Sequence, residues 1–182
     1  MEKLYETDRL IIRQWEDEDF MDLYEYASKE EVTKFLHFPT YTKIETAKER
    51  IAFLRNEYKE DKITQDYAIE LKEINKVVGA ITIVDYKEKN EGIIELGWVL
   101  NPAYQGNGYM TEAAKGMFRY IKQNNLAKRI VAKHDVDNVK SGNVMKRAGM
   151  VFEGISRKAS SNNHHARHDV ANYSILFEEI EN

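Results

Sequence analysis

Gln105–Gly106–Asn107–Gly108–Tyr109–Met110 is the stretch on which the reading of this chain turns. Before it, Ile93 to Leu100 is an apolar run with one charged residue, Glu95, and Asn101–Pro102 ends it as a strand. After it, Thr111 to Lys122 places Ala113, Ala114, Met117, Phe118 and Ile121 at helical spacing. Two glycines flanking one residue let the backbone turn tightly and present successive N–H groups. The helix start adds unpaired donors and the positive end of a dipole. Together these make an anion site suited to a pyrophosphate. It is not a P-loop, because no Gly-Lys-Ser/Thr follows. It is a poor Rossmann fingerprint, because the third glycine position holds Thr111 and the loop lies late in the chain. On spacing alone, a plain strand-to-helix turn stands beside the anion-site reading.

Outward from the loop, the period of the apolar residues sets the order of elements. Toward the C-terminus come a strand, Arg129 to Lys133, and a helix from Asn138 to Ala148, with Asn138 as N-cap and Gly149 as C′ glycine. Strands at Met150 to Phe152 and Val170 to Phe177 close the chain. Toward the N-terminus, Tyr67 to Leu71 and Val77 to Val84 read as strands, the latter broken by Gly79, and charged residues 86–92 as a hairpin connection. Leu10–Ile11–Ile12 reads as the first strand. Glu16 to Ala27 reads as a helix, followed by a short one capped by Ser28 with Glu31 completing a capping box and running to Pro39. Another opens at Thr42 or Thr46 and buries Ile51, Leu54 and Tyr58. The order β α α α β β β α β α β β predicts one mixed α/β domain over residues 1–182, with part of its sheet antiparallel.

With 182 residues, 42% of them apolar and 32% charged, the composition is globular and large enough for a core without disulfide or metal support. Cysteine is absent, which excludes Cys-ligated zinc, iron–sulfur clusters and a cysteine nucleophile. The best apolar run, Val77 to Val84, is far too short for a membrane span. Met1 to Asp8 lacks an apolar signal segment, so a cytoplasmic protein is expected. The net charge of −4 argues against direct nucleic-acid binding. It is unevenly spread: residues 1–100 carry 15 Lys and Arg against 23 Asp and Glu, and residues 101–182 carry 12 against 8. A basic second half suits a nucleotide-like polyanion, with mere uneven scatter of charge as the alternative.

Gln105-x-x-Gly108-x-Met110, after a strand and Pro102, resembles motif A of the GNAT acetyltransferases, which runs Arg/Gln-x-x-Gly-x-Gly/Ala. Asn138-x-x-Ser141, with the helix ending Ala148–Gly149 and Phe152–Glu153–Gly154 beyond, resembles motif B. The opening Thr7–Asp8–Arg9–Leu10–Ile11–Ile12–Arg13 and the closing Asp169-x-x-x-Tyr173 look like the branch that acetylates the N-termini of ribosomal proteins. The match runs through nearly the whole chain in order. It departs at Met110, where the family has Gly or Ala, so a long side chain must be housed beside the phosphates. It departs also at Gln105, where Arg is commoner and a charged contact is lost, and at Gly149–Met150, in place of Gly-Phe.

The resemblance implies a mixed, mostly antiparallel sheet with flanking helices. Its fourth and fifth strands, here Ile93–Leu100 and Arg129–Lys133, splay apart to hold acetyl-CoA. Backbone groups of Trp98, Val99 and Leu100 would face the pantetheine and acetyl groups. The N–H groups of Gln105, Gly106, Asn107, Gly108, Tyr109 and Met110 would cradle the pyrophosphate, and Asn138 and Ser141 would contact the far side of the cofactor arm. No metal is expected.

Acetyl transfer to an amine needs a base, because an ammonium has no lone pair. It needs a donor to the thioester oxygen as charge develops there, and help for the leaving thiolate. Glu95 is the candidate base, acting directly or through an ordered water. It is the lone charge in an apolar strand, where burial would raise its pKa, and it matches a strand-four Glu of relatives. An outward-facing strand carboxylate is the alternative. Ser141 matches the position near the CoA sulfur and is the candidate acid, with Tyr104, Tyr109 and Tyr173 as rivals. His164, His165 and His168 sit in a polar stretch read as an exposed hairpin loop, with a metal site or substrate contacts as alternatives. His134–Asp135 reads as structural. The expected activity is acetylation of a primary amine within a ternary complex, most readily the α-amino group of a (ribosomal) protein. A polyamine, amino-acid or aminoglycoside acetyltransferase and a non-catalytic acyl-CoA-binding module are the alternatives, as a monomer or homodimer.

Overall fold

The computed structural model describes residues 2–59, 65–87, 92–161 and 167–181. Among these, eight strands form one sheet in the order β1-β2-β3-β4-β5-β6-β8-β7. The strands are β1 (Lys3–Glu6), β2 (Leu10–Arg13), β3 (Asp66–Leu71), β4 (Lys76–Lys87), β5 (Ile93–Leu100), β6 (Arg129–Asp135), β7 (Val151–Ser161) and β8 (Arg167–Leu176). The helices are α1 (Phe20–Ala27), α2 (Glu30–Thr33), α3 (Ile44–Lys59), α4 (Tyr109–Gln123) and α5 (Val139–Arg147). Every neighbouring pair is antiparallel except β5 and β6. The mixed sheet expected from the alternating and helical periods is therefore the one found, with one added strand. β1 pairs with β2, so the splayed strands are the fifth and sixth in this chain.

Two hydrophobic cores flank the sheet. On one face α4 buries Ala113, Ala114, Met117, Phe118 and Ile121 against Leu10, Ile12, Ile69, Ile81, Ile94 and Leu96. On the other, α1 and α3 pack Leu23, Tyr26, Ala27, Ile51 and Leu54 around Trp15, Ala68, Val77 and Ala80. The alternation in β5 is the visible cause. Ile94 and Leu96 point to the first core while Val99 packs on the second, so Glu95, at the opposite parity to Ile94 and Leu96, takes the α1–α3 face.

Several boundaries differ from those predicted. Residues 17–19 form a 3₁₀ turn and only Phe20–Ala27 is α-helical. Ser28 is the C-cap of α1, not the N-cap of α2; Lys29 takes that place, and α2 stops at Thr33. One helix cannot turn into the next without ending first, and Ser28 spends its backbone N–H on the carbonyl of Tyr24. Gly79 does not break β4. A Cβ there would lie 2.4 Å from the carbonyl oxygen of Val99, so the glycine is what lets β4 and β5 approach. β7 is much longer than Met150 to Phe152 and forms the sheet edge.

Candidate active site

The parallel ladder between β5 and β6 runs Ile93↔Arg129 to Leu96↔Ala132 and stops. Both strands continue, β5 to Leu100 and β6 to Asp135, so beyond Leu96 the two diverge. The β6-facing edge of Gly97, Trp98, Val99 and Leu100 is thereby left without a ladder partner, while the other edge stays paired with β4. The splay expected at these strands is present.

β5 ends in a compact device. Asn101 is fully buried; its amide Nδ2 donates to Glu25 Oε1 at 2.8 Å, and its Oδ1 accepts the N–H of Ala103 at 3.2 Å. Pro102 begins a 3₁₀ turn whose missing N–H costs nothing there. Gly106 and Gly108 then take φ of +88° and +80°, the left-handed region that favours glycine. A Cβ at Gly106 would meet nothing within 4 Å, and one at Gly108 only the Nη2 of Arg9 at 3.6 Å. Conformation, not crowding within the protein, demands both glycines. The N–H groups of Gly106, Asn107 and Gly108 donate to nothing among the described residues. Those of Tyr109 and Met110 open α4, where no earlier turn supplies acceptors. A row of free donors at a helix start fits a pyrophosphate.

Two details differ from the expected cradle. Gln105's N–H already donates to the Pro102 carbonyl at 3.2 Å, so only its side chain is at hand. That side chain donates to Leu100 O at 3.2 Å and accepts from Lys140 Nζ at 2.8 Å. Met110 does not crowd the phosphates; its side chain is buried in the core beneath α4. On the facing side of the splay, Asn138 caps α5 as expected, its Oδ1 accepting the Ser141 N–H at 3.3 Å. Four buried side-chain polar atoms have no partner among the described residues: His134 Nε2, His168 Nε2 and, at the groove, Trp98 Nε1 on β5 and Thr111 Oγ1 in the first turn of α4. Orphans at the latter two places fit a groove completed by a polar ligand.

Glu95 is not a lone carboxylate in an apolar setting. Its side chain is 12% exposed and forms an ion pair with Lys133, with Nζ 2.9 Å from Oε1 and 3.2 Å from Oε2. No spacing rule links strands 38 residues apart, so the partner was invisible in the sequence. Of the rival acids, Tyr109 lies under the Arg9 guanidinium, 4.6 Å from its ring centroid, and Tyr173 is packed between His134 and Phe152.

The loop is held from behind by residues quoted in the opening motif but given no role. Arg9 Nε donates to Glu112 Oε2 at 2.6 Å, its backbone N–H to Glu112 Oε1 at 3.0 Å, and its Nη1 to the Asn107 carbonyl at 3.1 Å. The Thr7 hydroxyl donates to the same carboxylate at 2.5 Å. Burial pushes the Glu112 pKa up, but the hydroxyl, the N–H and the guanidinium outweigh it and hold the carboxyl below its ordinary value.

Beyond Glu95 and Lys133, a small cavity is lined by Phe35, His37, Lys133, Asp135, Ser160 and His168. His168 is on β8 rather than in a loop, and its Nδ1 lies 2.9 Å from Asp135 Oδ2. His164 and His165 lie outside the described residues. His134 packs on the other face against Tyr173, its Nδ1 2.7 Å from the carbonyl of Asp135 and its Nε2 without a partner among the described residues.

Comparison with known proteins agrees with this geometry. The model of the acetyltransferase (GNAT) domain matches residues 9–151. The uncharacterized N-acetyltransferase YnaD of Bacillus subtilis (strain 168) is 39% identical over 153 residues, 84% of this chain and 85% of that one. A GNAT-family acetyltransferase from Bacillus anthracis superimposes with a TM-score of 0.81 at 30% identity, covering 96% of this chain and 99% of that one. RimL, the ribosomal L7/L12 alpha-N-protein acetyltransferase solved with coenzyme A, shares the fold with a TM-score of 0.82 at 21% identity, over 96% and 98% of the two chains. No helix among the described residues is long and apolar enough to cross a membrane. The splay, the two-glycine turn and these matches converge: the chain belongs to the GNAT family of acetyl-CoA-dependent N-acetyltransferases.

Proposed function

We propose that the acceptor is the α-amino group of a protein N-terminus, a ribosomal protein being the leading case. The observation that carries the reading is the position of Glu95, a mostly buried carboxylate on the last paired stretch of β5, immediately before the splay. The shared fold of RimL, which its name assigns to an L7/L12 α-amino group, supports this acceptor class.

Acetyl-CoA supplies the activated acetyl carbon when bound. The chain's part is to hold it and to manage protons. Gly106, Asn107, Gly108, Tyr109 and Met110 offer backbone donors to the pyrophosphate; Gln105 joins through its side chain. The β6-facing edge of β5 at Trp98, Val99 and Leu100 meets the arm, the Leu100 carbonyl already accepting from Gln105, and Asn138 and Ser141 close its far side. Glu95 takes the proton of the incoming ammonium, directly or through a water, and the ammonium competes with Lys133 for the carboxylate. Ser141 hands a proton to the departing sulfur and regains one from the attacking nitrogen, which sheds it as the amide forms. Without cysteine, no Cys-acetyl stage arises, and attack is direct.

Glu95→Gln should lower kcat by roughly 10²–10⁴-fold, the range of general base catalysis. CoA affinity should hold, and the defect should shrink as pH rises and free amine forms unaided. Turnover near wild type at neutral pH would remove Glu95 from the role. Thiol release across N-terminal peptides, spermidine and aminoglycosides identifies the acceptor, and dialysis against a chelator should leave activity intact.

A further inference from the structure

Two cations touch the atoms of the 105–110 loop, and they are committed differently. Arg9 spends its charge on Glu112, 2.6 Å away, and braces the loop from behind. Lys140 is exposed, and its Nζ has one partner among the described residues, the neutral amide oxygen of Gln105 at 2.8 Å. That same amide donates to the carbonyl of Leu100 at 3.2 Å. The series Leu100, Gln105, Lys140 thus runs from the end of β5 to α5, across the mouth of the splay.

The position of Lys140 is itself unfavourable. It is the second residue of α5, and the first turn of that helix carries no acidic residue. The positive end of a helix dipole repels a cation, which is why first turns favour Asp and Glu. A local rule broken without a compensating carboxylate points to a use elsewhere. An ammonium resting on a neutral amide gains a stronger, charge-assisted bond by moving to a phosphate oxygen.

From these contacts we infer that Lys140 is an anion-binding residue of the cofactor groove, transferring from Gln105 to a phosphate oxygen of CoA as the ligand seats. It delivers from α5 the positive charge that the neutral Gln105 lacks and that Arg9 has spent. The inference rests on the assignment of the loop to the cofactor.

Calorimetric titration with CoA and 3′-dephospho-CoA tests it on wild type, Lys140→Ala and Lys140→Arg. Lys140→Ala should weaken CoA by about tenfold, the value of one charge-assisted contact, with an unchanged melting temperature. Its remaining affinity should respond less to added salt than that of wild type. Lys140→Arg should restore most of the loss. An equal loss for both ligands assigns Lys140 to the pyrophosphate; a loss confined to CoA assigns it to the 3′-phosphate. Wild-type binding with an unaffected Lys140→Ala overturns the inference and leaves the loop assignment standing. A wild-type protein that binds neither ligand overturns both.

Discussion

Arg9 and Arg13 stand four residues apart in the same N-terminal segment and meet opposite surroundings. Arg13 is 4% exposed; it grips Asp19 through Nη1 and Nη2 at 2.6 and 2.9 Å and Glu70 through Nε at 2.6 Å. It ties β2, β3 and the 3₁₀ turn before α1 into one unit, the scaffold of the acidic half. Burial works to lower its pKa, but both carboxylates outweigh that and raise it, so it stays charged. Arg9 is 47% exposed and ties β2 to the loop and α4. Solvent screens its ion pair, so its weight lies in placing Asn107 and Tyr109 rather than in stability. One residue type serves the scaffold where it is buried and the site where water reaches it.

The contrast breaks most visibly at Arg13. Arg13→Met leaves Asp19 and Glu70 buried without their cation and should cost about 3–5 kcal/mol, read by urea unfolding. A loss no larger than that of Arg9→Ala would erase the distinction.

The loop braced by Arg9 comes next. Gly108→Val forces a β-branched residue to φ near +80°, costing roughly 1–2 kcal/mol. It should weaken CoA strongly, because the row of free N–H groups turns with that residue. Unchanged CoA affinity by calorimetry would take this loop out of the cofactor site.

Arg9→Ala sharpens the comparison from the other side. Its stability should fall by less than about 1 kcal/mol, while CoA binding weakens several-fold as Asn107 and Tyr109 lose their brace. A variant that melts early yet binds CoA normally would make Arg9 a scaffold residue after all.

The smallest effect is in the acid limb. Because the folded Glu112 carboxyl is held below its ordinary value, its contribution is complete above the unfolded value, about 4.3. It is lost as pH falls through the lowered folded value. Glu112→Gln should lower stability at neutral pH and flatten its pH dependence between about pH 5 and pH 3, so that variant and wild type converge toward acid. A loss that stays the same size down to pH 3 would contradict the assignment.

How much could be read in advance followed the range of the physics. The 105–110 loop was readable because glycine conformation and helix starts are local; so was Asn138, whose cap reaches three residues. The second helix was misplaced at Ser28 because a serine between two helical patterns can close one or open the next. The fit of its backbone to the last turn of α1 decided which. The setting of Glu95 was misread because strand parity sets its face, whereas its partner Lys133 arrives on another strand.

The sequence by itself determined the order of elements from β2 onward, the two-glycine turn and the family, since each depends on residues near one another in the chain. Only the tertiary structure decided what each charge meets. It seated Met110 in the core instead of beside the phosphates and paired Glu95 with Lys133. It bound Thr7 and Arg9 to Glu112 across 105 and 103 residues, and set Lys140 against Gln105. Backbone conformation is governed by neighbours along the chain. Coulombic and hydrogen-bond partners are governed by distance in space, and no periodicity in the sequence records that distance.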